Sequence, residues 1–192
     1  MSTQKETLHR YLQVAREALL WKLEGLSEYD VRRPMTPTGS NLLGIVKHVA
    51  SVEIGYFTEV FGRPCPVELP WFAEGAAPNA DFFATEGESR EFIIGLYQES
   101  WRTSDATIRE CALEHQGTVP WWGESSRNVT LQQILVHMTT ETHRHAGHAD
   151  IIREMIDGSV GYRVESMNLP DFHVNEWKDF FNHVNDIAEK FR

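Results

Sequence analysis

The sequence predicts an all-α protein, a bundle of four main helices followed by a helical tail. Two observations support this fold class. Four long segments place apolar residues at helical spacing, and no segment resembles a strand of convincing length. The chain has 192 residues, which is enough for one domain with a full core. We therefore expect a single domain over residues 1–192.

The first two helices are predicted in the N-terminal third. The apolar repeat that begins at Leu8 indicates a helix over about residues 4–25, ended by Gly25. The second helix is expected to start at Ser40, a residue type that caps helix N-termini well, and to end near Gly62. This helix is apolar on several sides, so we expect it to be well buried.

Two aromatic-rich segments flank the third helix, which is predicted over about residues 88–113. Residues 63–86 contain four prolines and no visible period, as in a lid or a packed surface loop. Residues 114–129 carry Trp121 and Trp122. These two side chains either line the mouth of a pocket or simply pack.

The fourth helix is predicted over residues 130–157. Thr130 and Gln133 have the spacing of a capping box, and Gly158 suits the C-terminal cap. A short amphipathic helix follows, from Trp177 to about Phe191. We expect it to pack on its own bundle or on that of a second copy, which would make a homodimer.

Glu141, His145 and His148 fall on the predicted apolar face of the fourth helix. Glu141 and His145 are four residues apart, so both reach the same point beside the helix, and carboxylate and imidazole are natural ligands for a divalent metal. His48 on the second helix is the candidate third ligand. The alternative is that the histidines belong to the core and are satisfied by hydrogen bonds. His148 has three possible roles: a metal ligand, a hydrogen-bond donor to a ligand, or a proton carrier. The same question applies more weakly to His137.

Charge and composition limit the partners. The formal net charge of −10 argues against nucleic acid or an anionic membrane as the main partner. Arg144 beside the site is either an ordinary surface residue or a contact for an anionic group.

Cys65 and Cys111 do not make a disulfide framework and are expected to be free thiols in a reducing cytoplasm. The first residues do not read as a signal peptide, and no apolar run reaches the length of a membrane span.

Several segments resemble the DinB-like superfamily, and more narrowly its branch of mycothiol-dependent transferases and maleylpyruvate isomerases. The resemblance covers nearly the whole chain and is most specific in the fourth helix. The segments that carry it include residues 41–48 (Asn-Leu-Leu-Gly-Ile-Val-Lys-His), 119–122 (Val-Pro-Trp-Trp) and 137–154, with Glu-Thr-His-Arg-His-Ala-Gly-His at 141–148.

The resemblance implies a four-helix bundle with a divalent metal on its axis, held by residues matching His48, Glu141 and His145. Many members have histidine where this chain has Glu141, whereas the isomerase branch has glutamate. Zinc is the first expectation for the metal, and nickel, iron and manganese are the alternatives. The implied partners are a low-molecular-weight thiol such as mycothiol and an electrophilic substrate.

We therefore expect a cytoplasmic metal-dependent thiol S-transferase. In it, His148 would orient a ligand or move a proton, and Arg144, Trp121 and Trp122 would contact the thiol. Two alternatives remain open at this stage. The same ligands could activate water for hydrolysis, or the protein could be a non-catalytic, stress-related metal-binding protein.

Overall fold

Four long helices form the bundle, as the sequence predicts. The structure is a computed structural model and describes residues 2–163 and 167–192. The bundle helices are α1 (Gln4–Leu20), α3 (Leu42–Phe57), α4 (Arg90–Glu110) and α5 (Leu131–Asp157), and a short helix, α2 (Glu28–Arg32), connects the first two. α3 packs against both α4 and α5, and α1 packs against α5. The all-α prediction is confirmed.

Helix ends follow local capping chemistry, but three of them differ from the prediction. α1 ends at Leu20 and α3 at Phe57, five residues before Gly25 and Gly62, because a 3₁₀ turn follows each helix. α5 begins with the predicted capping box of Thr130 and Gln133 and ends at Gly158 in the left-handed conformation. α3, however, is capped by Asn41 and not by Ser40, because the Asn41 side chain accepts a hydrogen bond from the Gly44 amide at 2.7 Å. The same side chain also donates to the Phe82 carbonyl. This second bond ties the start of α3 to the first aromatic-rich segment.

The two aromatic-rich segments are ordered and packed. The first contains two 3₁₀ turns, Pro70–Phe72 and Ala80–Phe82, and a third, Glu59–Phe61, precedes it. The second contains a two-stranded antiparallel hairpin of β1 (Gln116–Thr118) and β2 (Asn128–Thr130), too short to have been predicted as strands. Both segments cover α3 on the side that carries His48.

α3 is buried along nearly its whole length, as its apolar sequence predicts, because bundle neighbours and the loop segments surround it. Two of its charged residues are buried with partners. Glu53 accepts from Arg16 of α1 at 2.6 Å, and neither side chain is exposed. Lys47 pairs with Glu88 at 2.8 Å. Their ionic partners explain how these side chains are tolerated inside the bundle.

The C-terminal helix α6 spans Val174–Glu189, close to the predicted range, and none of its residues is buried. Its apolar side chains, such as Phe181 and Val184, are exposed to solvent. The packing partner of α6 is thus not defined, and the homodimer stays a prediction. The single domain over residues 1–192 also stays a prediction. In the part of the chain that the structure describes, no helix is both long and apolar enough to cross a membrane.

Candidate metal centre

His48, Glu141 and His145 converge between α3 and α5. One donor atom from each lies within 4.8 Å of the other two. Glu141 Oε1 is 3.0 Å from His145 Nε2 and 3.6 Å from His48 Nε2. Two ligands of a tetrahedral metal with bonds of 2.0–2.1 Å are about 3.4 Å apart. The spacing of these donors therefore suits a single divalent metal ion.

Local structure places each of the three side chains. Glu141 and His145 project from successive turns of α5, as their i, i+4 spacing requires. His48 projects from the face of α3 that packs against α5, and its ring meets that of His145 with centroids 4.9 Å apart. Glu141 and His48 are partly exposed and His145 is buried. The centre therefore lies at the edge of the core.

Asp81 holds the His48 ring, a role that the sequence pattern did not predict. His48 Nδ1 donates to Asp81 Oδ2 at 2.6 Å, and both side chains are 12% exposed. This bond leaves Nε2 free on the side of Glu141. Carboxylates commonly orient metal-binding histidines in this way. Asp81 lies in an aperiodic segment 33 residues from His48, so no spacing rule could have linked the two residues.

The turn that carries Asp81 is fixed to α3 by three contacts besides the bond from Asn41 to the Phe82 carbonyl. Lys47 Nζ donates to the carbonyls of Ala80 and Phe83, at 2.9 and 3.0 Å. The Phe82 ring stacks on the His48 ring at 3.9 Å between centroids. Gly44 permits this approach, since a Cβ there would lie 1.8 Å from the Phe82 carbonyl oxygen. The position of Asp81 is thus set by the backbone as well as by its own side chain.

The protonation states of the centre favour metal binding. Burial raises the pKa of Glu141, but the neighbouring His145 and His48 outweigh this effect and bring the pKa below its usual value. Burial lowers the pKa of His145, and the charge of His48 lowers it further against the opposing effect of Glu141. A carboxylate and a neutral imidazole are the forms that bind metals. His145 Nδ1 is buried without a hydrogen-bond partner. No carboxylate therefore orients the His145 ring in the way that Asp81 orients the His48 ring.

His148 does not lie where the sequence predicts. It is exposed, and only its ring edge approaches His145, with centroids 5.4 Å apart. The predicted apolar face was wrong at this position: α5 packs mainly against α1 and α3, and its buried residues do not include His148. His137 is one turn before Glu141, and burial lowers its pKa. It contacts the rings of Tyr56 and Trp122.

The remaining predicted site residues fall in different places. A cavity of about 680 Å³ adjoins the centre, and His48, Asp81 and Trp121 are among the residues that line it. Trp122 is not in this lining, and its indole donates to the Tyr56 hydroxyl at 3.1 Å. Arg144 is exposed on α5 and does not line the cavity either. Of the three residues predicted to contact a thiol, the structure brings Trp121 alone to this cavity.

Together, the helical bundle and the two-histidine, one-glutamate cluster at its edge define a protein of the DinB-like class. The mycothiol-S-transferase family matches residues 7–158. The chain belongs to this family. The predicted resemblance is therefore confirmed, and the activity indicated at this level is that of a mycothiol-related transferase.

Comparison with other known proteins supports the fold. A crystal structure of a conserved protein from Enterococcus faecalis superposes with a TM-score of 0.59. The two chains are 15% identical, and the alignment covers 83% of this chain and 100% of the other. At this identity the likeness shows the fold alone. Among curated proteins, none matches this chain.

Proposed function

We propose that this protein is a metal-dependent thiol S-transferase that uses a low-molecular-weight thiol such as mycothiol. The observation that carries the proposal is the convergence of His48, Glu141 and His145 beside a cavity large enough for a small molecule. The family match supports the thiol, and the donor set supports the metal. A divalent ion held by these three residues, with zinc as the first expectation, would supply the Lewis acidity that lowers the pKa of a thiol.

Three protein donors suit catalysis better than a purely structural role. Structural zinc sites are closed by four protein ligands, whereas catalytic sites keep one position for water or substrate. Among the described residues, the donor cluster contains three side chains. A fourth protein ligand such as His148 would make a closed site, but His148 is directed to solvent. These features favour the transferase over the non-catalytic alternative.

The reaction is a nucleophilic displacement. The thiol loses its proton, and its sulfur attacks an electrophilic carbon. The carbon–sulfur bond forms while the bond to the leaving group breaks, and the leaving group departs with that electron pair. His148 is exposed beside His145, where its imidazole can accept the thiol proton and pass it to water. Trp121 and the cavity wall hold the electrophile.

Metal analysis tests the ligand assignment. Protein purified without an affinity tag should contain about one equivalent of divalent metal, and His48→Ala and Glu141→Ala should lose it. His143→Ala is the matched control, because His143 bonds the Thr139 carbonyl of its own helix and lies outside the cluster. Unchanged stoichiometry in both ligand variants would show that the assignment is wrong.

A cobalt-substituted sample tests the thiol. Addition of mycothiol should produce a near-ultraviolet sulfur-to-cobalt charge-transfer band, which reports thiol binding without turnover. Turnover of an electrophile should require the thiol. Turnover that proceeds in its absence would point to hydrolysis by the same residues and would contradict the transferase.

A further inference from the structure

The cavity beside the candidate metal centre has a predominantly apolar wall. It is bounded by α3, by the first aromatic-rich segment and by the second segment at Trp121. Its apolar lining comprises Val52, Tyr56, Val67, Leu69, Phe72 and Trp121. His48 and Asp81 form the part of the wall nearest the metal centre. A ligand in this cavity would thus lie against aromatic and aliphatic surface with one end at His48.

The polar groups in the same wall are largely engaged with the protein. The Ser51 hydroxyl donates to the Lys47 carbonyl and accepts from the Trp71 indole. The Thr58 hydroxyl donates to the Ile54 carbonyl at 2.7 Å. The Tyr56 hydroxyl accepts from the indoles of Trp121 and Trp122. A ligand with many polar groups would lose hydrogen bonds to water here and regain few of them.

The charges that face the cavity are negative. Its lining includes the carboxylates of Glu59 and Asp81, and among the described residues that line it there is no lysine or arginine. Lys47 and Arg63 are the basic residues closest in sequence to the lining residues, and both are paired with other carboxylates. Lys47 pairs with Glu88, and Arg63 pairs with Glu110.

A bound metal would not reverse this balance. Glu141 is one of its proposed ligands, so three carboxylates (Glu59, Asp81 and Glu141) would offset the two charges of a divalent ion. Among the described residues, the lining therefore offers no lysine or arginine to bind an anionic substrate, in contrast to sites that bind carboxylates through arginine.

We infer that this cavity selects an uncharged, largely apolar electrophile, such as a neutral activated arene, over an anionic one. The inference rests on the proposed transferase function and names its second substrate class. With a neutral chloroarene, the thiol sulfur bonds to the ring carbon that bears chlorine. The carbon–chlorine bond breaks, chloride leaves with the bonding electrons, and the thiol proton passes to water. A dicarboxylate electrophile would instead bring uncompensated negative charge into the cavity.

A matched pair of unreactive ligands tests the cavity independently of turnover. 3,5-Dinitrobenzamide and 3,5-dinitrobenzoate have similar shapes and differ by one charge. Binding to the metal-loaded protein is followed by quenching of tryptophan fluorescence, since Trp121 lies in the wall. We expect the amide to bind at least about 10-fold more tightly. Equal binding, or tighter binding of the benzoate, would overturn the inference.

Removal of one carboxylate tests the electrostatic cause. Glu59→Gln should reduce the preference for the amide on the order of 3-fold. Glu114→Gln makes the same charge change at an exposed position outside the cavity lining, and it should leave the preference unchanged. An equal effect in both variants would assign the preference to overall charge and contradict a role for this cavity.

The reactive pair, 4-chloro-3,5-dinitrobenzamide and 4-chloro-3,5-dinitrobenzoate, extends the test to catalysis. Each rate with mycothiol is divided by its uncatalysed rate, and the measurement is repeated in Cys65→Ser because the exposed Cys65 thiol lines the cavity. We expect the amide to be favoured. Thiol-dependent turnover with no such preference would contradict the inference and leave the transferase intact. Amide-selective binding with no thiol-dependent turnover would contradict the transferase alone.

Discussion

Removal of the Asp81 carboxylate should weaken metal binding without unfolding the bundle. Asp81 accepts from His48 Nδ1 at 2.6 Å in a partly buried site, and a hydrogen bond to a charged group contributes about 1.5–3 kcal/mol. Loss of a carboxylate that orients a metal-binding histidine lowers affinity by about 10- to 100-fold, or about 1.4–2.8 kcal/mol. These two ranges agree. We expect Asp81→Ala to bind metal about 10- to 100-fold more weakly than the parent protein.

The assay is a competition titration of zinc between the protein and a chromophoric chelator at fixed pH. Asp81→Asn should show a smaller loss, because its amide oxygen can still accept from Nδ1. Asp179→Ala, on the exposed helix α6, is the matched control. Thermal unfolding of the metal-free variants should stay near that of the parent, because Lys47 holds the turn through the backbone carbonyls of Ala80 and Phe83. Wild-type affinity in Asp81→Ala would refute the orienting role.

Three further predictions concern the scaffold and its pH response. Glu53→Gln should lower the free energy of unfolding in urea by about 1–3 kcal/mol, because Arg16 would lose its buried carboxylate partner and keep Asp105 at 2.8 Å; an unchanged free energy of unfolding would contradict this. Burial lowers the pKa of His137, so the unfolded chain binds its proton first as pH falls below about 6.5. The metal-free protein should therefore lose stability below that pH, and His137→Gln should reduce the slope; an unchanged slope would count against this cause. Deletion of α6 should leave the thermal midpoint of the bundle unchanged, since the helix buries none of its residues; a large drop would show that α6 packs on a surface in solution.

Sequence periodicity predicted the helices well because each long helix must bury an apolar stripe. The limits of α5 were correct at both ends, where Thr130 and Gly158 have strong capping preferences. The start of α3 was misplaced by one residue because Ser40 and Asn41 are both good caps. The tertiary bond from Asn41 to Phe82 distinguishes them, and it lies outside local sequence rules.

The candidate centre was predictable where its residues share a helix. Glu141 and His145 are one turn apart, so helix geometry alone brings them together. His148 has a similar spacing, but its exposure depends on which neighbours α5 contacts. Arg144 was predicted near the thiol because it flanks the site residues in sequence, and Trp122 because it lies in an aromatic-rich loop. The cavity lining includes neither residue.

The sequence by itself determined the helical class, the ends of α5 and the Glu141–His145 pair, because these follow from interactions within one helical turn or from a periodic apolar face. His48 could be proposed as their partner, but the distance between α3 and α5 depends on the packing of the whole bundle. Asp81 and the charge of the cavity were decided by the tertiary structure alone. They lie on aperiodic segments whose path is set by distant contacts, such as those of Lys47 and Gly44 with the Asp81 turn, and no local rule encodes such contacts.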